Sequence, residues 1–335
     1  MLVVIPTLNE RRTIERVLES LRVDLPAHVT VDVVVVDGGS TDGTVELVQR
    51  LAESDASLRL LANPRRIQSA AINLAVRRHG AQADVLVRCD AHAHYPPGFV
   101  RRLLDTLVRT RADAVVVPMD SNGRTCFQKA VAWVSNAGPG NGGSAHRGGR
   151  RSGFVEHGHH AAFRMASFRR AGGYDESFTH NEDAEFDGRQ RSLGHTVFLD
   201  AEIRLGYQPR ATVASLARQY FAYGLGRSRT VRRHPHSMRA RQLALPVHLV
   251  ASTLAFALAA WWPLLLAWPL LYLAVLAVTS LQIASRERAL CGLLAGPAAA
   301  VMHFSWAAGF LAGLVLLREA AWHPPPFQHS TFGNR

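Results

Sequence analysis

The chain has 335 residues, long enough for one large domain or two ordinary ones, and carries 38 Lys and Arg against 26 Asp and Glu, a net charge of +12. Its mean hydropathy of +0.01 is high for so many charges and reflects a split. Residues 1–241 are mixed, whereas residues 242–285 and 289–317 contain no Asp, Glu, Lys or Arg. The positive charge does not imply nucleic-acid binding, because no recognisable nucleic-acid module accompanies it.

Residues 2–6 and 31–37 are short β-branched apolar runs that end at polar or Gly-rich turns, and they read as buried parallel strands. Between them, residues 11–22 place Ile14, Val17, Leu18 and Leu21 on one helical stripe. Thr41-Asp42-Gly43-Thr44 opens a second helix, and residues 67–78 and 99–109 predict two more. Strands are predicted at 84–89 and 114–118. Strands alternating with helices at this spacing predict an α/β sheet of nucleotide-binding type. The Gly-rich stretch 137–153 reads either as a mobile loop over the site or as a linker. Cys89, Cys126 and Cys291 show no pairing pattern or metal spacing, which implies a reducing compartment for the polar part. Residues 1–5 are too short for a secretory apolar region, so that part is expected in the cytoplasm.

A membrane span needs about 20 residues. The 44 residues from 242 to 285 therefore fit two crossings joined near Trp261-Trp262-Pro263, where a Pro break and interfacial aromatics belong. Residues 289–317 fit a third crossing, which Gly296-Pro297 could kink or make re-entrant. No acidic residue occurs between Ile203 and Arg286, and Arg218, Arg227, Arg229, Arg232, Arg233, Arg239 and Arg241 lead into the first apolar run. That placement suits anionic headgroups and the positive-inside rule. A general arginine bias is the other reading, since Lys129 is the only lysine. The expected layout is an α/β domain over 1–235, a basic juxtamembrane segment at 236–242, about three membrane helices within 243–317 and an irregular tail at 318–335.

Four stations carry chemistry. They are Val4-Ile5-Pro6-Thr7-Leu8-Asn9-Glu10; Val36-Asp37-Gly38-Gly39-Ser40-Thr41-Asp42-Gly43; Arg88-Cys89-Asp90-Ala91-His92; and Gly172-Gly173-Tyr174-Asp175-Glu176 followed by Asn181-Glu182-Asp183-Ala184-Glu185. Asp37 stands at a strand end, where doubly wound sheets bind ligands. It can accept hydrogen bonds from a base or ribose, or it can hold an Asx-turn. Asp90 and His92 offer a carboxylate and an imidazole to a divalent metal, or His92 is a solvated loop residue. Three histidines at 157, 159 and 160 suggest zinc at first sight, but no cysteine and no helical i, i+4 pair accompanies them.

In this order the stations resemble the family 2 inverting glycosyltransferases with a GT-A fold, and most closely the exopolysaccharide glycosyltransferases of the succinoglycan-synthesis type. The resemblance covers about residues 1–235. It implies a metal-dependent hexosyltransferase, using Mn²⁺ or Mg²⁺, that takes a nucleotide sugar, in the form of a UDP sugar, as donor. The acceptor would be a lipid-linked glycan. The enzyme would sit as a multi-pass protein among the lipids of the cell (inner) membrane, catalytic domain in the cytoplasm. Carried over residue by residue, Pro6, Thr7, Asn9, Glu10, Asp37, Arg66, Asn73 and Asp90 belong to the nucleotide-sugar site. Asp90 and His92 belong to the metal, and Asp183 is the catalytic base. His159, His160 and Glu182 are placed on the acceptor side. The chain departs from the family where Gly38 and His92 replace acids. The alternatives are a polyprenyl-phosphate sugar synthase and a non-catalytic membrane scaffold that kept the fold.

Overall fold

A computed structural model describes residues 1–26, 28–137 and 149–319. Most of the Gly-rich stretch and nearly all of the expected tail lie outside the described residues. The chain divides into two units, Met1–Met119 with Gly149–Leu205 and Asp120–Gly148 with Gly206–Ala320. The expected domain over 1–235 is therefore split, and residues 120–137 belong with the apolar C-terminal helices.

The first unit is built on β1 (Leu2–Thr7), β2 (Asp32–Asp37), β3 (Leu58–Ala62), β4 (Val85–Arg88) and β5 (Ala114–Val117). After β6 (Met119–Ser121) come β7 (Gly153–Val155), β8 (His159–Arg164) and β9 (Val197–Leu199), and β10 (Leu205–Tyr207) pairs with β6. The main sheet has the order β3-β2-β1-β4-β8-β5-β9-β7. β1 to β4 run parallel, whereas β8 lies antiparallel between β4 and β5. The predicted strands are present. β3 and β8 were not foreseen, because Leu-Arg-Leu-Leu-Ala and His-His-Ala-Ala-Phe-Arg lack the β-branched runs that mark the others.

Both faces of the sheet are covered, as the unbroken valines of β2 require. α1 (Ile14–Arg22), α2 (Thr44–Glu53) and α4 (Phe99–Thr110) cover one face through Val17, Leu18, Val48, Leu103 and Leu107. α3 (Gln68–His79), α6 (Met165–Arg170) and α7 (Glu182–Ser192) cover the other through Ile72, Val76, Phe168 and Phe186. Phe163, Phe168, Tyr174 and Phe186 are fully buried there, with Tyr174 and Phe186 centroids 4.9 Å apart. Each such ring contributes about 1.5–3 kcal/mol by burial, so this cluster is a rigid base for the residues above it.

The second unit contains α5 (Cys126–Asn136), α8 (Val213–Arg233), α9 (Ala240–Leu258), α10 (Ala267–Glu287) and α11 (Ala295–Leu316). Among the described residues three stretches, Ala240–Leu258, Pro263–Glu287 and Leu290–Leu316, are long and apolar enough to cross a membrane. Two expectations are corrected here. Cys126 and Cys291, 165 residues apart, form a disulfide, a pairing that spacing could not reveal and that removes the ground for inferring a reducing compartment from the cysteines. The arginines ahead of α9 are also not all presented outward. Arg229 and Arg233 pair with Glu319, and Arg232 donates to the carbonyls of Gly313 and Leu317.

Candidate active site

The carboxyl ends of the parallel strands form one edge of the sheet, with Thr7 opposite Asp37 and Asp37 opposite Ala62. The loops that follow β1 and β2 are tied to each other. Asn9, at φ 59°, accepts from the Thr41 amide at 2.8 Å and donates its own amide to Ser40 Oγ at 2.7 Å. The Glu10 amide donates to Thr44 Oγ1 at 2.9 Å. Gly39 and Gly43 take φ of +92° and +88°, which glycine adopts without penalty.

Asp37 is buried at the centre of this turn. Its Oδ1 accepts from the amides of Gly39 and Ser40 at 2.9 and 2.8 Å, and its Oδ2 from the hydroxyls of Ser40 and Thr7. The Asx-turn reading therefore describes this loop, and a nucleotide reaching Asp37 must share or displace two hydroxyls. A Cβ on Gly38 would meet Thr7 O at 3.4 Å and Arg66 Cα at 3.5 Å. That is ordinary contact, so the glycine is not forced by space. The Arg66 guanidinium lies over Gly39, where it faces the loop of the expected nucleotide site. Asn73 does not reach that site. It is completely buried and bonded to the backbone of Tyr174 and to Glu176. Its role is to fix the turn after Gly172-Gly173.

Asp90 follows β4. Its Oδ1 accepts from Gln68 at 2.8 Å, and its Oδ2 lies 3.5 Å from His159 Nε2. Burial opposes ionisation of Asp90, but His159, Arg88 and His92 outweigh it and hold the carboxyl below the usual range. His159, expected on the acceptor side, therefore faces Asp90, the residue expected to hold the metal. His92 is turned to Glu10, with Nδ1 2.8 Å from Oε1. Among the described residues no three carboxylate, imidazole or thiol side chains converge closely enough to hold a metal unaided. A carboxylate with one imidazole, Asp90 with His159, fits an ion whose remaining ligands would be a bound diphosphate and water.

Asp183 enters from α7, whose first turn carries Glu182, Asp183 and Glu185 and so has acids at the positive end of the helix dipole. Asp183 Oδ1 pairs with Arg88 and lies 3.1 Å from His160 Nδ1, while its side chain remains 17% exposed. Burial raises its pKa, but Arg88 and His160 prevail and hold it well below the carboxylate range. Glu182 lies 3.6 Å from Arg88. Burial, together with the Asp183 charge, pushes Glu182 up. Two adjacent carboxyls thus have opposite protonation tendencies, a pattern common to acid–base sites.

His160, expected on the acceptor side, is instead enclosed. It is 1% exposed, with Nδ1 2.9 Å from the Tyr174 hydroxyl and Nε2 2.7 Å from Asp187 Oδ1. Burial lowers its pKa, yet Asp187 and Asp183 outweigh that and raise it to about 9. Asp187 also binds His157 at 2.6 Å. The sequence alone does not assign Arg88, Tyr174 or Asp187. The one available signal was Arg88, a charge ending the apolar run Val85-Leu86-Val87.

The sheet, the loops at its carboxyl edge and the carboxylate at the start of α7 define a GT-A-type transferase of nucleotide-linked sugars. The chain belongs to glycosyl transferase family 2, whose profile matches residues 2–172. It is 43% identical to the succinoglycan biosynthesis protein ExoA of Rhizobium meliloti (strain 1021), over 95% of this chain and 96% of that one. A Methanococcus voltae protein, dolichyl N-acetyl-alpha-D-glucosaminyl phosphate 3-beta-D-2,3-diacetamido-2,3-dideoxy-beta-D-glucuronosyltransferase, is 22% identical over 69% of this chain and 74% of its own. Among solved structures, the mannosyltransferase PcManGT from Pyrobaculum calidifontis, in complex with GDP-Man and Mn²⁺, shares the fold. Its TM-score is 0.60 at 22% identity, over 94% of this chain and 86% of that one.

Proposed function

We propose that this glycosyltransferase moves a sugar, with inversion, from a UDP-linked donor to a lipid-linked glycan in exopolysaccharide synthesis. It would act at the cytoplasmic face of the inner membrane, as a multi-pass protein. The likeness to ExoA along nearly the whole chain supports the pathway, and the dolichyl-linked acceptor in the name of the archaeal relative supports a lipid-linked acceptor.

The observation that carries the reading is Asp183, kept anionic at the rim of the site by Arg88 and His160. In the reaction, Asp183 takes the proton of an acceptor hydroxyl as that oxygen bonds to the anomeric carbon. The bond from that carbon to the diphosphate breaks, and its electron pair leaves with the nucleoside diphosphate. The loops after β1 and β2, with Asp37 and Arg66, hold the nucleotide and exclude water from it. A divalent ion bound by Asp90 with His92 or His159 would neutralise the leaving diphosphate, and Mn²⁺ suits imidazole better than Mg²⁺ does. A polyprenyl-phosphate acceptor is already ionised and needs no base, so loss of transfer on Asp183→Asn would favour a hydroxyl acceptor.

The test is transfer from a panel of radiolabelled nucleotide sugars into extracted membrane lipid, run beside calorimetry with UDP and Mn²⁺. Asp183→Asn is expected to cut transfer to about one per cent or less, since positioned bases contribute about 10²–10⁴-fold, and to leave UDP affinity nearly intact. Near-normal transfer by the variant would sink the mechanism. UDP binding without turnover by the wild-type chain would point to the scaffold alternative.

A further inference from the structure

Two side chains that neither the donor nor the base requires hold Asp90 in place. Tyr95 holds its main chain. The Tyr95 hydroxyl accepts from the Asp90 amide at 2.5 Å and donates to the Asp90 carbonyl at 3.0 Å. The phenol ring is itself packed on Phe99, with centroids 4.6 Å apart. Gln68 holds the side chain. Its Nε2 donates to Asp90 Oδ1 at 2.8 Å, while Oδ2 lies 3.5 Å from His159 Nε2. An ionised carboxylate only accepts, so the amide nitrogen of Gln68 is the atom that faces it.

The backbone that carries Gln68, the first residue of α3, is tied down on both sides. Ahead of it, the Asn63 side chain donates to the Ile67 carbonyl at 2.9 Å, and the Asn63 amide donates to the Asp37 carbonyl at 2.7 Å. After it, Ser69 donates to the Phe178 carbonyl at 3.3 Å. Asn73 exchanges two hydrogen bonds with the backbone of Tyr174, at 2.7 and 3.0 Å. Ser69, Ala70, Ala71 and Ile72 are all buried. The chemistry of an amide matters as much as its place. A lysine or arginine at position 68 would also orient the carboxylate, but it would repel a cation and cancel the charge that draws one. A glutamate would have no proton to donate. Glutamine orients Asp90 without neutralising it.

The torsion that turns an Asp carboxylate is broad and roughly two-fold, so a donor on one oxygen decides which oxygen is left for a ligand. We infer that Gln68 is a positioning residue for the metal: it occupies Oδ1, so that Asp90 offers a divalent ion Oδ2 alone. This rests on the assignment of Asp90 to the metal made above. The same restraint sorts cations. Both oxygens of one carboxylate subtend only about 60° at an ion, far from the right angle that a small octahedral ion demands. Ca²⁺, with longer bonds and a flexible shell, accepts both oxygens. Gln68 therefore selects against Ca²⁺ without touching the ion.

The full-length protein in detergent can be titrated with Mn²⁺ in the presence of UDP, following the free ion by electron paramagnetic resonance, with Ca²⁺ as competitor. Gln68→Met keeps the length of the side chain and removes the donor. It should weaken Mn²⁺ binding by about 10–100-fold, the usual cost of losing an outer-shell partner of a metal ligand. Ca²⁺, able to take both oxygens, should lose little, so the ratio of the two affinities shifts toward Ca²⁺ by about that factor. The ratio also separates positioning from damage, because a loss of folded protein weakens both ions alike. An unchanged ratio would overturn the inference, even with Mn²⁺ affinity reduced. Wild-type protein that bound no Mn²⁺ beside UDP would overturn it together with the assignment of Asp90 to the metal.

Discussion

His160 shows how one buried side chain orders the carboxylate proposed as the base. It touches Asp183, Tyr174 and Asp187 and reaches no surface, so it is a positioning residue for the proposed base. Its pKa is raised from 6.5 to about 9. A raised histidine contributes stability that is fully present below its unfolded value and is lost as pH rises through the folded one. The wild-type chain in detergent should therefore lose stability between pH 6.5 and 9, by at most about 3 kcal/mol. His160→Gln should flatten that dependence and lower kcat more than it raises the donor KM. A melting curve of the same slope in both proteins would contradict this. The metal makes a second residue-scale case. With His92 able to leave Glu10 for an ion, transfer should be faster with Mn²⁺ than with Mg²⁺. His92→Asp should shift the preference toward Mg²⁺; an unchanged ratio in transfer assays would remove His92 from the metal.

At the scale of elements, the α8–α11 seam sets packing against propensity. Replacing a mid-helix glycine by alanine gains about 1 kcal/mol of helix propensity. At Gly309, however, the added methyl would lie 2.0 Å from a carbonyl oxygen of α8, and overpacking of that kind costs about 1–3 kcal/mol or more. Gly309→Ala should therefore lower the melting temperature in detergent. Gly153→Ala, which adds its methyl to open space, should change it little, within about 0.5 kcal/mol. Equal effects of the two substitutions would mean that the helices do not approach this closely. The same seam explains why α11 needs glycines where a lone lipid-facing helix does not.

For the whole molecule, the partners of the arginines decide how the protein holds a membrane. Arg229, Arg232 and Arg233 are engaged by Glu319 and by the carbonyls ending α11, so surface charge is a smaller part of attachment than a net +12 suggests. Headgroup attraction is screened by salt, with a Debye length of about 3 Å at 1 M. Apolar burial through α9 and α10 is not. The chain should therefore stay in the membrane pellet through a 1 M salt wash; recovery in the supernatant would show that electrostatics hold it.

Strand and helix periodicity fixed β1, β2, β4 and β5 with the helices between them, because an α/β layer demands apolar runs and stripes that survive in one dimension. The four stations, read in order, located Asp37, Asp90 and Asp183 at the sheet edge for the same reason: each sits at a strand end or a helix start. Tertiary structure decided what those residues touch. Asn73 and His160 look like site residues in sequence, yet both are buried, one holding a turn and the other a carboxylate. Arg88 reaches Asp183 from 95 positions away, and Cys126 reaches Cys291 across 165. Hydropathy marks α11 as long and apolar enough to cross, because length and composition are properties of a segment. Whether a helix crosses depends on where both its ends are held, and that is set by contacts from elsewhere in the chain.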